Sequence, residues 1–410
     1  MAKYVVEERE DWRWWVTPKS LVNKPIHRWC IFPHSFTNEL IHAFVDEWGL
    51  DAKDHLLDPF AGAGTTLLAA KERGIPANGY DLSPLAVTAT SVKLANYSLR
   101  RLENAWGVLQ KKLSPTRWKS PVKVYPELVQ KALPGGLLAA FEAIDRDITD
   151  LDASLAERDF FRLALFNILP RYSHAVATGG WLSWVNKQDE ISTIPSEFSA
   201  QVILMLCDLR DCTLPRRASW FVGQADARIL PDKSETYSAV ISSPPYPNRH
   251  DYTRVFGVEL MFGFLDWEGT RRLRYQSFHS HPEAHPDRPE SNGYTQPVAL
   301  SRILNKINEK TKERRIPVML AGYFLDMYLC LKEVRRVCRR KARVAFVVGN
   351  AQYCGQPIPV DELTAEVGEQ AGLTCTKLLA ARFRGNSAQQ MGKYGRNPSR
   401  ESIVVFSKAS

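Results

Sequence analysis

A chain of 410 residues with a net charge of +9 and a pI near 9.1 is long enough for one large α/β domain with an insertion, or for two domains. No stretch reaches the roughly 18 unbroken apolar residues of a membrane span. The opening Met1-Ala2-Lys3-Tyr4-Val5-Val6-Glu7-Glu8 carries acid where a secretion signal needs an apolar run, so a cytoplasmic protein without a membrane partner is expected. Seven cysteines, an odd number without CxxC spacing, argue against a disulfide framework and a zinc knuckle, and the basic balance admits a polyanionic partner without demanding one.

Trp12-Arg13-Trp14-Trp15 opens the chain as an N-terminal arm pinned by buried indoles, or as a platform for bases. Behind Pro25-Ile26-His27-Arg28-Trp29 and Ser35-Phe36, the residues Leu40, Ile41, Phe44, Val45 and Trp48 recur at helical spacing, with Thr37 or Asn38 as cap and Gly49 as stop.

His55-Leu56-Leu57-Asp58-Pro59-Phe60-Ala61-Gly62-Ala63-Gly64-Thr65-Thr66 then reads as strand, glycine-rich turn and helix start, where backbone N–H groups approach a ligand. No lysine follows the second glycine, which disfavours a phosphate loop, and Leu67 stands where a dinucleotide fingerprint wants a third glycine. Asp81 ends the next strand, roughly twenty residues beyond the first glycine, where a carboxylate accepts ribose hydroxyls. It is equally placed to cap the helix opening at Ser83-Pro84.

Residues 99–214 read as helical throughout, too long for one crossover, and so as an insertion. Their Gly179-Gly180-Trp181-Leu182-Ser183-Trp184 turn suits contact with DNA or a cap over the cofactor. The sheet resumes at Ser219–Gln224, followed by Asp226. Tyr237–Ile241 is a strand that must end at Ser242-Ser243-Pro244-Pro245-Tyr246, because prolines have no N–H for a ladder. That tip offers a hydroxyl, a carbonyl held by a proline ring and an aromatic face, which suits stacking a planar base while acceptors take the hydrogens of its amine.

Residues 266–316 are basic and loop-rich, with His279, His281 and His285 among them; no metal site is expected there. An amphipathic helix over Gly322–Cys338, a buried strand at Val344–Gly349, a helix over Glu362–Gly372 and paired final strands follow. Within that final pair lies a basic, glycine-rich loop in residues 382–400. Both 266–316 and 382–400 are candidate DNA-contact segments.

Ser243-Pro244-Pro245-Tyr246 resembles the catalytic tetrad of amino-directed DNA methyltransferases, its leading serine the N4-cytosine branch, and Asp-Pro-Phe-x-Gly-x-Gly-Thr-Thr at 58–66 resembles their S-adenosylmethionine loop. The Pro-Cys nucleophile of C5-cytosine enzymes is missing. The resemblance covers roughly residues 24–98 and 218–265. It implies a Rossmann-like class I methyltransferase sheet with helices on both faces and a helical insertion. The implied parts are an arm and cofactor-binding half at 1–98, the insertion at 99–214, and a catalytic half at 215–410.

Ser243, Pro244, Pro245 and Tyr246 are then catalytic; Asp58, Phe60, Gly62, Gly64, Thr65, Asp81 and Asp226 bind S-adenosylmethionine, Asp226 reading the adenine amino group. The segment from Pro25 to Phe36 lies against the methionine end. Double-stranded DNA is the implied partner, with a cognate restriction endonuclease or defence system beside it. Transfer to cytosine N4 comes first, adenine N6 second; an RNA guanine-amine methyltransferase and a non-catalytic DNA-binding protein on the same scaffold are the other readings.

Overall fold

A computed structural model describes residues 4–118, 120–188, 190–215, 218–385, 395 and 398–409. Its centre is an eight-stranded sheet of β1 (Val6–Glu8), β2 (Leu56–Asp58), β3 (Ala77–Asp81), β6 (Trp220–Gln224), β7 (Tyr237–Ser242), β8 (Cys338–Gly349), β11 (Thr374–Arg384) and β12 (Ser399–Ser407). Two small hairpins complete the strands, β4 (Ala175–Thr178) with β5 (Trp181–Trp184) and β9 (Ala351–Tyr353) with β10 (Gln356–Ile358). The spatial order of the large sheet is β1-β11-β12-β8-β7-β2-β3-β6. β12 runs antiparallel to both its neighbours, and every other pairing in the sheet is parallel. This is the Rossmann-like α/β sheet expected, with one reversed strand near the β1 edge.

The sheet is covered on both faces, as parallel strands require. Successive strand residues point to opposite sides. Leu56, Ala239, Ile241, Ala345 and Val347 enter one core with α1 (Asn38–Trp48), α2 (Thr65–Glu72) and α3 (Pro84–Leu94). Leu57, Val240, Val344, Phe346 and Val348 enter the other core with α12 (Val298–Lys310), α13 (Arg315–Val337) and α14 (Val360–Gln370). The chain runs outward from β2 through β3 to β6 and then returns past β2 to β7, so the order reverses beside β2. In open α/β sheets that reversal opens a crevice at the carboxyl ends of the strands.

Between α3 and β6 lie α4 (Leu99–Gln110), α5 (Glu127–Ala132), α6 (Gly136–Thr149), α7 (Leu155–Tyr172) and α8 (Ile194–Asp211). This stretch is not helical throughout as expected: Gly179, at φ +62°, turns β4 into β5. The hairpin is only four residues a side, too short for alternation to stand out from the helical background. Buried side chains of α6, α7 and α8 share the core of α1–α3, so this stretch is built onto the sheet.

The helix expected over Gly322–Cys338 starts earlier, at Arg315, and β8 begins at Cys338. Arg339, Arg340 and Lys341, which follow the expected helix end, are strand residues, exposed in the first part of β8.

Candidate active site

β2 ends at Asp58, and the chain turns through Gly62 (φ +51°) and Gly64 (φ +79°) into α2. Both glycines need the left-handed region that a Cβ disfavours. Gly64 also lacks room, since a Cβ there would lie 2.8 Å from the Thr90 side chain. Asp58 is buried and shapes the turn: Oδ1 accepts from the Phe60 N–H at 3.0 Å and from the Ser242 hydroxyl at 2.5 Å. Burial pushes its carboxyl up to about 6. Asp81, at the end of β3, accepts from the Gly62 N–H at 2.9 Å and the Ser83 N–H at 2.8 Å, and burial raises it as well. It is both a loop clamp and a wall of the cavity.

The Pro-Pro tip of β7 meets this turn. Thr66 Oγ1 donates to the Ile241 carbonyl at 3.2 Å, and Ser242 reaches Asp58, so the two strand ends are bonded side by side. One cleft enclosing about 1100 Å3, part of it open to solvent, is lined by Asp58, Phe60, Gly62, Thr65, Asp81, Asp226, Ser243 and Pro245. Pro244 and Tyr246 complete the tip beside it. Phe60 packs edge-on to Phe278 at 5.6 Å, and Phe32, Phe256 and Phe278 supply apolar wall.

Ser243 Oγ donates to the Val347 carbonyl at 3.1 Å. Tyr246 is buried, 5.7 Å from His34 and with the Arg384 guanidinium 5.8 Å from its ring; burial raises its phenol. Gly349 makes room for it, because a Cβ there would lie 2.8 Å from the ring. The Tyr353 hydroxyl donates to the Pro247 carbonyl at 2.7 Å and holds the loop that follows.

Asp226 reaches the cleft, but both its oxygens already accept from Arg228, at 2.9 and 2.6 Å. Arg228, buried, also donates to Asp326 and to the Gln276 carbonyl. Any adenine amine there would share an acceptor with this guanidinium. Of the segment from Pro25 to Phe36, only Phe32 to Phe36 lines the cleft. The Ile26 N–H, the Arg28 guanidinium and the Trp29 indole N–H converge on Asp208 of α8 instead, so Pro25–Trp29 anchors the arm to the inserted helices.

Lys93 and His34 of this neighbourhood were not singled out from sequence, whereas the closeness of Tyr252 to the Pro-Pro tip already marks it as able to line the same pocket. Lys93, buried in α3, donates to the carbonyls of His27, Cys30 and Ala63, tying arm, glycine turn and helix together. Burial lowers its ammonium to about 8. A lysine among the apolar positions of α3 is the one sequence signal it carries. His34 (φ +62°) lies 4.8 Å from His250; burial, then His250 and Arg384, push it down to about 4, so it is neutral at physiological pH. Tyr252, its hydroxyl 3.5 Å from His34 Nδ1, also lines the cleft.

The two candidate DNA-contact segments fare differently. In 266–316, α11 (Trp267–Gln276) and α12 are helical, and two of the cations are held by carboxylates outside the segment, Arg274 by Asp251 and Arg288 by Asp326. His279 and His281 are buried, His279 against Asp326. In 382–400, Arg382 and Arg384 flank buried Glu401 at 3.4 and 3.2 Å; residues 386–394 and 396–397 lie outside the described residues. In the arm Trp12 is buried as expected, whereas Trp14 is 54% exposed, with Arg13 and Lys19 over its ring and Arg382 and Phe383 across a shallow cleft.

Buried carboxylates, left-handed glycines and aromatic walls fit S-adenosylmethionine, whose ammonium and ribose need acceptors and whose adenine needs apolar faces. Across almost its whole length the chain is similar to Type II methyltransferases, and these relatives support an S-adenosylmethionine-dependent methyltransferase. It is 28% identical to M.BsoBI of Geobacillus stearothermophilus over 99% of this chain and 90% of that protein, and 28% identical to M.AvaI of Anabaena variabilis over 94% and 87%. A shorter match, 42% identity over 50 residues, covers 12% of this chain and 9% of M.MjaII of Methanocaldococcus jannaschii. No family profile matches the chain. Among solved structures, the [4+2]-cyclase SpnF aligns over 99% of both chains at 8% identity with a TM-score of 0.34.

Proposed function

We propose that the protein methylates double-stranded DNA at a specific site, on the exocyclic amine of an extruded base, and that the base is cytosine, modified at N4. The observation that supports the reading is the cleft shared by the glycine turn after β2 and the Pro-Pro tip after β7, a space in which a methyl donor and a target amine would be within reach of one another.

Bound S-adenosylmethionine supplies an electrophilic methyl group. Asp81 and the Gly62–Thr65 turn hold its ribose and backbone, Phe60 packs beside it, and Asp226 with Arg228 borders the adenine end. The amine of cytosine is a poor nucleophile because its lone pair is delocalised into the ring. Ser243 has given its own hydrogen to the Val347 carbonyl, so its oxygen is left to accept one from the amine. The Pro244 carbonyl accepts the other, which favours a pyramidal nitrogen with its lone pair free to attack. Tyr246 stacks on the base. No covalent link to the enzyme is needed, and positioning supplies much of the acceleration.

The exposed Trp14 with Arg13, Lys19 and Arg382, and the cations of 266–316 and 382–400, supply phosphate contacts in this reading. The division into arm and cofactor half at 1–98, insertion at 99–214 and catalytic half at 215–410 is kept as its domain plan. The Type II relatives favour a paired restriction endonuclease.

The test is incubation with S-adenosylmethionine labelled in its methyl group and with duplex DNA or, separately, tRNA, followed by digestion to nucleosides and mass identification. N4-methylcytosine in DNA is expected. N6-methyladenine moves the assignment to the second base, and label only in tRNA, or none, overturns the DNA reading.

A further inference from the structure

The β4–β5 turn is seated on the loop that leaves the Pro-Pro tip. A Cβ on Gly180 would lie 2.7 Å from the Arg249 carbonyl oxygen and 3.0 Å from His250 Cα, so the two backbones meet where only glycine fits. The next residue, Trp181, is 56% exposed. Leu182 packs into the core, and alternation along β5 turns Trp181 the other way. One face of its indole is covered by the Arg254 guanidinium, 4.3 Å from the ring centre.

Arg254 is not free to swing. It pairs with Asp251 at 3.2 Å and with Glu283, while Asp251 caps α9 (Tyr252–Val255) through the Thr253 N–H and also holds Arg274 at 2.9 Å. Tyr252 and Thr253 of that same short helix line the cleft. An indole backed by a fixed cation on one face and open on the other is a stacking surface made in advance for a planar ring. It stands over the loop that leaves the Pro-Pro tip, beside the short helix whose Tyr252 and Thr253 line the cleft.

We infer that the Gly179–Trp181 tip is the wedge that opens the duplex, with Trp181 stacking on the base left unpaired when the target is extruded and Arg254 holding the indole in place. The inference rests on the DNA reading above. It makes Trp181 a positioning residue, outside the pocket that holds cofactor and target amine.

The test uses the full chain and two duplexes carrying its methylation site, one with the target base paired and one with it mismatched. A mismatch has already lost much of the pairing that a wedge must break. On the paired duplex Trp181→Ala should lower kcat/KM on the order of 10- to 100-fold, the range set by base–aromatic stacking. On the mismatched duplex the deficit should shrink to a few-fold, and Trp181→Phe should recover most of the loss on both. Equal loss on the two duplexes, or no loss on either, overturns the wedge. A cofactor affinity changed in Trp181→Ala marks a structural defect; Trp181→Leu, which keeps apolar bulk without a ring face, then replaces it, and an equal deficit on the two duplexes overturns the wedge. If the wild type methylates neither duplex, it is the DNA reading that has failed.

Discussion

Gly62 lines the cleft and Tyr246 lies in the tip beside it, and their substitution should separate two functions. Tyr246→Ala removes the aromatic face for the base while leaving the glycine turn intact. Its methyl transfer should fall on the order of 100-fold with cofactor affinity nearly unchanged, since lost stacking and lost orientation each contribute. Gly62→Val forces a β-branched residue to φ +51°, and cofactor binding should be abolished. Calorimetric titration of S-adenosylmethionine beside methyl-transfer kinetics reads both. Equal loss of affinity in the folded Tyr246→Ala protein would remove this division of roles.

Asp58 gives a pH signature at the same scale. Its carboxyl is raised from 3.8 to about 6 by burial, so the folded state holds the proton more tightly than the unfolded chain. That contribution to stability is complete below pH 3.8 and is lost as pH rises through about 6. Asp58→Asn should lack this decline: relative to wild type, its unfolding free energy should rise by on the order of 3 kcal/mol between pH 4 and 7. Urea titrations at a series of pH values measure it, and a difference independent of pH would refute the assignment.

Among the elements, the contact of arm, glycine turn and α3 depends on one ammonium. Lys93→Met leaves the His27, Cys30 and Ala63 carbonyls without their donor inside the core. Losing such a partner costs about 3 kcal/mol or more. Because the Ala63 carbonyl belongs to the cofactor turn, cofactor affinity should weaken as well, by roughly tenfold for each 1.4 kcal/mol that reaches the turn. Denaturation midpoints and titration test the two halves, and a variant with wild-type values in both would show that the buried cation holds nothing. Asp208 plays the matching part from α8, gathering Ile26, Arg28 and Trp29. Neither residue belongs to a local pattern, since each finds its partners far along the chain.

For the molecule as a whole, the inserted helices and the sheet share one core, and this sets how the protein unfolds. Deleting residues 99–214 would strip the apolar cover from α3 and α2, so the remainder should fail to fold cooperatively, and the full chain should lose far-ultraviolet and tryptophan signals in a single transition. Two resolved transitions would mark the insertion as a separate unit. With a net charge of +9, DNA affinity should also fall steeply as salt is raised.

What could be read in the amino-acid sequence was what neighbours in the chain decide. Asp58 to Thr66 must turn because its glycines allow it, the β7 strand must stop at Pro244, and Asp81 must stand at a strand end. These local rules were enough to mark the two loops, and the resemblance of their motifs to those of amino-directed DNA methyltransferases supplied the cofactor. Packing between separate segments decided the rest: that Arg228 is buried against Asp326, that Lys93 and Asp208 bind the arm, and that a four-residue hairpin sets Trp181 beside Arg254. A buried charge or a stacked ring is defined by what surrounds it, and those surroundings exist only after separate chain segments have met.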